Sequence, residues 1–454
     1  MSYVKNREDL LEHGCQEARE VTIKLVEKAL AKADPYLAVK NLISLENETL
    51  TVGCHTFDLN KAGNIYVVGA GKATYPIAKA LEEILGDRIN NGIVICKYGQ
   101  DGELDKIDMR MASHPIPDEA GCAAAKDIYS LAEDTKPGDI IFAAFTGGST
   151  ALLPYPVDGV SLEDKKVAFQ VLLYSGANIY EMNAVRKHLS KIKGGNLARL
   201  INPEAHLINL TVSDVTGDEL DYITCPTVPD TSTLEMARTA LTKYELWEKM
   251  PESIQHYFKN AGPEAETPKD KDLAEHKTYN FILVPSNAAC MGAYEAAEEL
   301  GIKNRMILST VLEGEGREVG GTFADIAREI LVSGNPMNAP CVIIGGGEST
   351  VSITGECGEG GPNQEFALGA ALRLDGMENV VIASVDSDGT DGPTNLAGAM
   401  VDKSTLERAR AEGIDLFAAL MKHDVSGPLE QLGEVVITGA TGTNVNDLKL
   451  MVVM

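Results

Sequence analysis

The sequence lacks any long apolar run. Its longest apolar stretches, such as YNFILVP and PCVIIGGG, fall far short of the roughly 20 residues that a membrane-spanning helix requires. The first residues, MSYVKNREDLLEHG, lack the apolar segment of a secretory signal. We therefore expect a cytoplasmic protein with no membrane partner.

Paired cysteines are also missing. Eight cysteines are scattered along the chain without one CxxC pair and without the spacing of metal ligands. Such cysteines are typical of small buried hydrophobic residues in a reducing compartment. The sequence therefore predicts neither a disulfide framework nor a zinc site.

Positive charge is scarce. The chain has 40 Lys and Arg against 67 Asp and Glu, a formal net charge of −27. Because such a charge repels polyanions, we do not expect a nucleic-acid partner. The apolar share of 44% and the charged share of 24% are ordinary for a globular protein. A length of 454 residues exceeds what one hydrophobic core usually organises, which predicts two domains.

Short apolar runs alternate with helical patterns from Asn64 onward, after one or two amphipathic helices over residues 7–33. NIYVVGAGKATYPIAKALEEIL predicts a strand, a tight turn and a helix, and GDIIFAAFTGGST predicts a strand that enters a loop. Continuous apolar strands separated by helices indicate a parallel sheet covered on both faces. The expected N-terminal domain, residues 1–260, is a Rossmann-like αβα sandwich with a mostly parallel sheet.

A second alternating block follows the polar segment 259–277, which we interpret as a surface loop near a domain junction. The runs GEVVITG and LKLMVVM predict strands near or at the edge of a sheet. The expected C-terminal domain, residues 279–454, is an α/β domain with a mixed sheet. The predicted fold class is therefore α/β, with two domains and a cleft between them.

Glycine-rich polar turns recur where strands are predicted to end, which is where open α/β sheets bind ligands. The first, VVGAGKATYP, contains Gly69, Gly71 and Lys72. It matches neither the phosphate-binding P-loop nor the complete dinucleotide fingerprint, since Thr74 stands at the third glycine position. The turn either carries a solvated lysine or places the Lys72 ammonium on a phosphate or carboxylate.

The second turn, FTGGST, contains Gly147, Gly148, Ser149 and Thr150. With so little side-chain bulk, its backbone N–H groups are able to face an anion. An ordinary strand-to-loop turn is the alternative.

The third segment, NAVRKHLSKIKGGNLARL, concentrates basic side chains in an acidic protein: Arg186, Lys187, Lys191, Lys193 and Arg199. Helical spacing sets Lys187 beside Lys191, and like charges on one face cost stability unless water or an anion screens them. The segment is therefore either a solvated helix face or part of an anion site.

The last two turns lie in the second block. GGGESTV contains Gly346, Gly347 and Glu348, and Asn363 follows in GGPNQEF as either a helix cap or a ligand contact. SVDSDGTDGPTN clusters Asp386, Asp388 and Asp391, which indicates either a Mg²⁺ site or a turn with capping aspartates. Together the five turns predict an anion site with a divalent metal, the equipment of phosphoryl transfer.

Several of these segments resemble successive motifs of the glycerate 2-kinase family, whose C-terminal half is called MOFRL. The resemblance runs from about Gly69 to Val453 and includes FTGGSTALLPYPVDGVSLEDK, SDVTGDELDYITCPTVPD, GGPNQEFALGAAL, DSDGTDGPTNLAGAMVD and TGATGTNVNDL. It implies an ATP- and Mg²⁺-dependent kinase that phosphorylates the 2-hydroxyl of D-glycerate to give 2-phosphoglycerate, with Lys72 taking part in catalysis. Two departures concern Pro362, where relatives often carry arginine, and Asn395, where they often carry aspartate. The first leaves open another small sugar acid as acceptor.

On this interpretation each candidate residue has an expected role. Lys72, Arg186, Glu348 and Asp214 are the expected catalytic residues, and Asp388 and Asp391, with Asp214 as an alternative, are the expected metal ligands. The expected contacts with ATP are Gly69, Gly71, Gly147, Gly148, Ser149, Thr150, Lys193, Gly346, Gly347 and Asn363. A nicotinamide-dependent hydroxypyruvate reductase and a non-catalytic binder of a phosphorylated acid are the rival hypotheses, and a homodimer is left open.

Overall fold

The computed structural model describes residues 2–215, 217–222 and 226–454. The chain divides into two compact units: Pro35–Leu283, and a second unit that joins the chain up to Asp34 to Val284–Met454. The predicted division differs from these units chiefly at the N-terminus, because the first helices belong with the C-terminal part of the chain.

A buried ion-pair network explains this placement. The chain begins with α1 (Arg7–Leu11) and α2 (Gln16–Lys32). Arg19 of α2 is fully buried, and its guanidinium donates to Asp402 and to Glu434, each at 2.6 Å. Removing either partner would leave a buried charge uncompensated, so this network fixes α2 to the C-terminal part of the chain.

The unit Pro35–Leu283 opens with a helix and a small sheet. Helix α3 (Pro35–Leu42) leads into an antiparallel meander of β1 (Ile43–Glu46), β2 (Thr49–Val52) and β3 (His55–Asp58). These strands were not predicted from the sequence, because each has only four residues and the pattern is too short to stand out.

A six-stranded sheet with helices forms the rest of this unit. Its elements are β4 (Ile65–Ala70), α4 (Thr74–Leu85), β5 (Ile89–Lys97), β6 (Asp108–Ala112), α5 (Glu119–Glu133), β7 (Ile140–Phe145), α6 (Ser149–Leu152), α7 (Leu162–Leu173), α8 (Ile179–His188), α9 (Asn196–Leu200), β8 (His206–Val212), α10 (Leu234–Lys243), α11 (Glu252–Asn260) and β9 (Lys277–Val284). The strand order is β6-β5-β4-β7-β8-β9, and the neighbours from β6 to β8 pair in parallel. All six residues of β7 are buried, which confirms the predicted parallel sheet covered on both faces.

The second unit contains a mixed sheet. Its elements after α2 are α12 (Ala288–Glu299), β10 (Asn304–Ser309), α13 (Gly316–Ser333), β11 (Cys341–Gly347), α14 (Pro362–Ala371), β12 (Val380–Asp386), β13 (Gly398–Asp402), α15 (Lys403–Glu412), α16 (Leu416–Met421), α17 (Ser426–Gln431), β14 (Val435–Val436) and β15 (Asp447–Val453). The strand order is β10-β11-β15-β12-β13-β14; β10 and β11 are parallel and the other pairs are antiparallel. The predicted mixed sheet is therefore confirmed.

The last strand corrects one prediction. β14 lies at the sheet edge as expected, but β15 lies between β11 and β12, and all seven of its residues are buried. A strand buried on both faces needs apolar residues on both, which LKLMVV supplies apart from Lys449.

Two cysteines also differ from expectation. Cys54 and Cys357 are exposed, whereas Cys96, Cys122 and Cys290 are among the buried ones. Within the described ranges, none of the helices combines the length and apolar character needed to cross a bilayer.

Candidate active site

Four polar segments lie at the carboxyl ends of strands in the unit Pro35–Leu283. Lys72 follows β4, His114 follows β6, residues 147–150 follow β7 and Asp214 follows β8. Because these strands are parallel, their carboxyl ends lie at the same edge of the sheet, the usual ligand edge of an open α/β fold.

The first two predicted turns contact each other directly. The Lys72 N–H donates to the Gly147 carbonyl at 2.9 Å, and the Ala73 N–H donates to the Thr146 hydroxyl at 3.1 Å. The sequence therefore predicted correctly that both turns lie at strand ends, and the structure makes them neighbours.

Gly148 is required at its position for two reasons. Its φ is +86°, a conformation that favours glycine. A Cβ there would lie 3.2 Å from His114 Nε2 and 3.3 Å from Lys72 Cγ. His114 was not singled out from the sequence, and β6, the strand directly before it, was not predicted either.

Gly69 and Gly71, which were expected to contact ATP, pack against the neighbouring strand end. A Cβ at residue 69 would lie 2.4 Å from the Ala144 carbonyl oxygen, and one at residue 71 would lie 2.0 Å from the Thr146 hydroxyl. These glycines allow the close approach of the two turns, which accounts for them without a ligand.

The second turn is tied to the basic segment. Lys193 is buried, and its ammonium donates to the Thr150 hydroxyl at 2.9 Å. Ser149 is also buried, and its N–H donates to the Thr146 carbonyl at 3.2 Å, so this donor is used within the turn. Lys193 and Thr150 thus join the same strand-end group as Lys72.

Asp214 carries an unusual carboxyl group. Burial raises its pKa above the ordinary value, and the positive charge of Lys72 acts in the opposite direction. The two groups are therefore close enough for their charges to interact.

Two of the other basic side chains of the third segment, Lys187 and Lys191, are neutralised locally. Lys187 is buried in ion pairs with Asp221 and Asp230, and Lys191 pairs with the exposed Asp158. Arg199 donates to Asn196. The expected row of like charges therefore does not form, because each of these side chains has its own partner.

Arg186 differs from its basic neighbours. Its guanidinium lies 5.1 Å from the centre of the Phe169 ring, and its buried Nε has no hydrogen-bond partner among the described residues. Burial lowers its pKa. Arg186 also lines a cavity of about 510 Å³ together with His114, Gly148 and Thr150. We refer to Lys72, Arg186 and Lys193 as the cationic cluster.

The second unit has a different group of polar residues at the end of its sheet. Across three adjacent strands, Gly347 of β11, Asp447 of β15 and Asp386 of β12 lie directly opposite one another. We refer to Asp386, Asp388 and Asp447 as the carboxylate cluster.

Asp447 is surrounded by donors. It accepts from the Ser349 N–H at 3.2 Å, the Asn363 amide at 2.8 Å and the Lys449 ammonium at 2.9 Å. Lys449 is fully buried and also donates to the Gly347 carbonyl at 2.9 Å. Neither Asp447 nor Lys449 was proposed from the sequence, since their other partners lie 84 to 102 residues away along the chain.

The glycine triplet closes tightly against a neighbouring loop. Gly347 has φ +109°, and a Cβ there would lie 2.4 Å from the Leu312 nitrogen. A Cβ at Gly346 would lie 2.6 Å from the Cys290 sulfur. Packing therefore accounts for both glycines, whereas Glu348, directly after them, is exposed.

Asp391 and Asn363 have internal partners. The two oxygens of Asp391 accept four hydrogen bonds, from the backbone and side-chain nitrogens of Asn363 and Gln364, at 2.9–3.1 Å. Asn363 also donates to Asp447 and accepts from the Ser384 hydroxyl. These contacts are those of a cap at the start of α14, and the expected metal contact of Asp391 and ATP contact of Asn363 stay predictions.

Asp386 and Asp388 are neighbouring carboxyl groups whose negative charges repel each other. Burial and the neighbouring charge of Asp388 raise the pKa of Asp386 well above its usual value. Asp388 accepts from the Thr390 N–H at 2.9 Å and from its hydroxyl at 2.6 Å. In the described part of the chain, no three His, Cys, Asp or Glu side chains form a ready-made metal site.

Part of one motif lies outside the described residues. In SDVTGDELDYITCPTVPD these are Thr216, Ile223, Thr224 and Cys225. Asp214 and Asp221 of the same motif are among the described residues.

Two family models match parts of this chain. Residues 21–259 match the model "Domain of unknown function (DUF4147)", and residues 341–447 match the MOFRL family. A glycerate 2-kinase from Pyrococcus horikoshii is 40% identical, over 96% of this chain and 97% of its own. A crystal structure of glycerate kinase from Thermotoga maritima is 36% identical, over 96% of this chain and 99% of its own, and superposes with a TM-score of 0.82.

A further relative bears a different name. A protein from Agrobacterium vitis, provisionally named a hydroxypyruvate reductase, is 39% identical over 96% of this chain and 94% of its own. The extent of all these matches shows that the chain belongs to the glycerate kinase family defined by a DUF4147 region followed by a MOFRL region.

Proposed function

We propose that this protein is an ATP-dependent kinase that transfers a phosphoryl group to the 2-hydroxyl of D-glycerate, giving 2-phosphoglycerate. The observation that carries the proposal is the cationic cluster around the glycine turn 147–148, at the ligand edge of a parallel sheet. In a chain of net charge −27, such a local concentration of cations favours a strongly anionic ligand. The names of the relatives given above point to the same reaction.

In phosphoryl transfer the protein mainly positions the reactants and neutralises the charge on the phosphate oxygens. Lys72 neutralises the charge that develops on the transferring group, and Arg186 contributes a second cation from the cavity wall. Lys193 holds the Thr150 hydroxyl and so orients the turn next to Gly148.

Asp214 is our first choice for the base. Its pKa is raised by burial, and Lys72 lies within reach of its charge. As the 2-hydroxyl oxygen forms its bond to phosphorus, its proton passes to the Asp214 carboxylate, and ADP leaves with the electrons of the broken bond. Glu348, which is exposed, is the alternative base.

Mg²⁺ fits Asp386 and Asp388 best. Both offer the oxygen ligands that Mg²⁺ prefers, and a cation beside them would relieve the repulsion that raises the pKa of Asp386. One or two carboxylates suffice, because Mg²⁺ takes its other ligands from water and phosphate. When bound, the ion would neutralise phosphate charge. Asp391 is a weaker candidate, since both of its oxygens already accept hydrogen bonds.

A second acceptor is supported by Pro362. This residue is the first of α14 and offers no charge, whereas relatives often carry arginine there. A different small sugar acid is therefore the alternative acceptor.

A panel of hydroxy acids tests the proposal. ATP consumption would be measured with D-glycerate and with three- and four-carbon sugar acids, and phosphorus NMR would identify the product. We expect D-glycerate to be preferred and 2-phosphoglycerate to be formed. A clear preference for a four-carbon acid would select the alternative acceptor. NADH oxidation with hydroxypyruvate, without ATP consumption, would select the reductase hypothesis, and tight binding without turnover would select the binder.

A further inference from the structure

A cavity of about 510 Å³ opens beside the glycine turn of the unit Pro35–Leu283. Gly148, Thr150 and Arg186 line one part of it. The rest is largely apolar, with residues from the segment after β6 and from α7. The cavity therefore joins a polar, cationic end to an apolar end.

One face of α7 forms much of the apolar wall. Lys166, Phe169, Gln170 and Leu173 all line the cavity and follow one another at helical spacings of i, i+3, i+4 and i+7. This face thus combines an aromatic ring and an aliphatic side chain with one amide and one ammonium group.

Apolar side chains at the rim are unusually exposed. Ile116, Leu173 and Tyr174, which all line this cavity, are 66%, 63% and 80% exposed. Single exposed apolar residues are common, but several that converge on one cavity mark a binding surface.

The shape and chemistry of the cavity indicate its occupant. Its volume lies within the range of about 300–1,000 Å³ of small-molecule sites, whose walls are mostly apolar with a few polar groups. A three-carbon hydroxy acid has almost no apolar surface to place against Phe169, Leu173 and Ile116. A nucleoside phosphate has a flat aromatic base at one end and anionic oxygens at the other, which matches the two ends of the cavity.

Arg186 supplies a further argument. Its buried Nε has no hydrogen-bond partner among the described residues, although the guanidinium stacks over Phe169. Buried donors in proteins are normally satisfied, so an unused donor on the cavity wall indicates a ligand acceptor there.

We propose that this cavity binds the nucleoside of the phosphoryl donor, with the base against Leu173 and Ile116 and the phosphates toward Gly148, Thr150 and Arg186, whose guanidinium lies over Phe169. The inference rests on the proposed kinase function only in taking a nucleoside triphosphate as the donor. It assigns to α7 a role in donor binding.

A second cavity in the same unit lacks this combination. It measures about 630 Å³ and is lined by residues that include Tyr129, Lys191, Arg199 and His256, but by none of the residues 147–150. Lys191 there forms an ion pair with Asp158, and Arg199 donates to the side-chain oxygen of Asn196. It has neither the glycine turn nor a cation with an unused buried donor, and we assign it no nucleotide.

The test uses two matched variants on α7. Leu173→Asn changes an exposed apolar residue that lines the cavity, and Val167→Asn changes one that is 44% exposed and does not line it. Neither side chain belongs to the core, so both variants should fold. Isothermal titration calorimetry with Mg²⁺ present would measure the binding of ATP, adenosine and inorganic tripolyphosphate to the full chain.

We expect Leu173→Asn to raise the Kd for ATP and for adenosine by about fivefold or more, because an apolar contact with the base is lost. The Kd for tripolyphosphate should not change, and Val167→Asn should behave like the unmodified chain. Absence of ATP binding, an ATP Kd that Leu173→Asn leaves unchanged, or an equal effect on tripolyphosphate would overturn the inference.

Steady-state kinetics separate this inference from the proposed function. Leu173→Asn should raise the KM for ATP and leave the KM for D-glycerate unchanged; a rise in the KM for D-glycerate would instead assign the cavity to the acceptor. If ATP binding depends on Leu173 but no acid is phosphorylated, the nucleoside site stands and the kinase proposal fails. If D-glycerate is phosphorylated but Leu173→Asn leaves the Kd for ATP unchanged, the nucleoside site is wrong and the kinase proposal stands.

Discussion

The two units gather polar side chains at the ends of their sheets, but with opposite charge and a different use of hydrogen bonds. In the cationic cluster, Arg186 has a buried Nε that finds no hydrogen-bond partner among the described residues, and it lies beside an open cavity. In the second unit, the polar groups in and next to the carboxylate cluster largely bond to each other. Asp447 accepts from Lys449 and Asn363, and Asp391 accepts from Asn363 and Gln364.

The difference shows that charge alone does not identify a ligand site. Asp391 has the same side chain as Asp388, yet its hydrogen bonds are those of a helix cap. Lys187 has the same side chain as Lys72, and two aspartates neutralise its charge. Substitutions in the two clusters should therefore divide into those that reduce turnover and those that reduce stability.

Lys72→Ala should have the largest effect. Loss of this cation removes charge stabilisation in the transition state, and we expect kcat to fall by roughly 1,000-fold. Steady-state kinetics would measure the loss, with Lys61→Ala, which removes an exposed cation, as the control. Urea unfolding should show a change in stability of about 0.5 kcal/mol or less, as is usual for a loop side chain. A kcat within threefold of the unmodified enzyme would exclude Lys72 from the mechanism.

Lys449→Met should act on stability first. The substitution leaves the buried Asp447 carboxylate without its ammonium partner, which should lower the free energy of unfolding by about 3 kcal/mol. Urea denaturation measures the loss. The double variant Lys449→Met/Asp447→Asn should recover part of it, because the uncompensated charge is then gone. Equal stability of the single variant and the unmodified chain would contradict a structural role for this pair.

Asp391→Asn and Asp388→Asn form a matched pair. An amide at residue 391 cannot accept all four hydrogen bonds, so we expect a loss of about 2 kcal/mol in the free energy of unfolding, with the Mg²⁺ dependence of turnover unchanged. Asp388→Asn should instead raise the Mg²⁺ concentration needed for half-maximal turnover and change stability little. The reverse outcome would make Asp391 the metal ligand and Asp388 the structural residue.

The strand-end turns were predictable because their signals are local. Apolar runs such as IIFAAF, followed by GGST, indicate both a buried strand and a turn with little side-chain bulk, and the structure has both at residues 140–150. The same reasoning located Lys72 and the glycine triplet 345–347 at strand ends.

Partners distant in sequence were not predictable in this way. Asp447 accepts a hydrogen bond from Asn363, and Lys449 donates one to the Gly347 carbonyl. Only the pairing of β15 with β11 and β12 brings these residues together. The same holds for Lys187, whose charge is cancelled by Asp221 and Asp230. Sequence spacing showed which residues carry charge; which charges remain available depends on the tertiary contacts.

Lys165→Met tests the pH dependence of stability, at a buried lysine for which the described residues supply no carboxylate partner. Lys165 is fully buried and donates to the Leu189 carbonyl at 3.1 Å, and burial lowers its pKa from 10.5 to about 7, against an opposing effect of Cys122. Between about pH 7 and 10.5 the unfolded chain therefore holds a proton that the native chain does not, so stability falls as the pH is lowered through this window and is constant below it.

Lys165→Met removes this slope, which amounts to at most about 1.4 kcal/mol per pH unit. Urea denaturation at pH 7.5, 8.5 and 9.5 would measure it, with Lys166→Met, a neighbouring lysine paired with Glu163, as the control. If Lys165→Met kept the slope of the unmodified chain, the Lys165 side chain would stay protonated in the native protein. Lys165 would then not differ in charge from Lys449, which has Asp447 beside it.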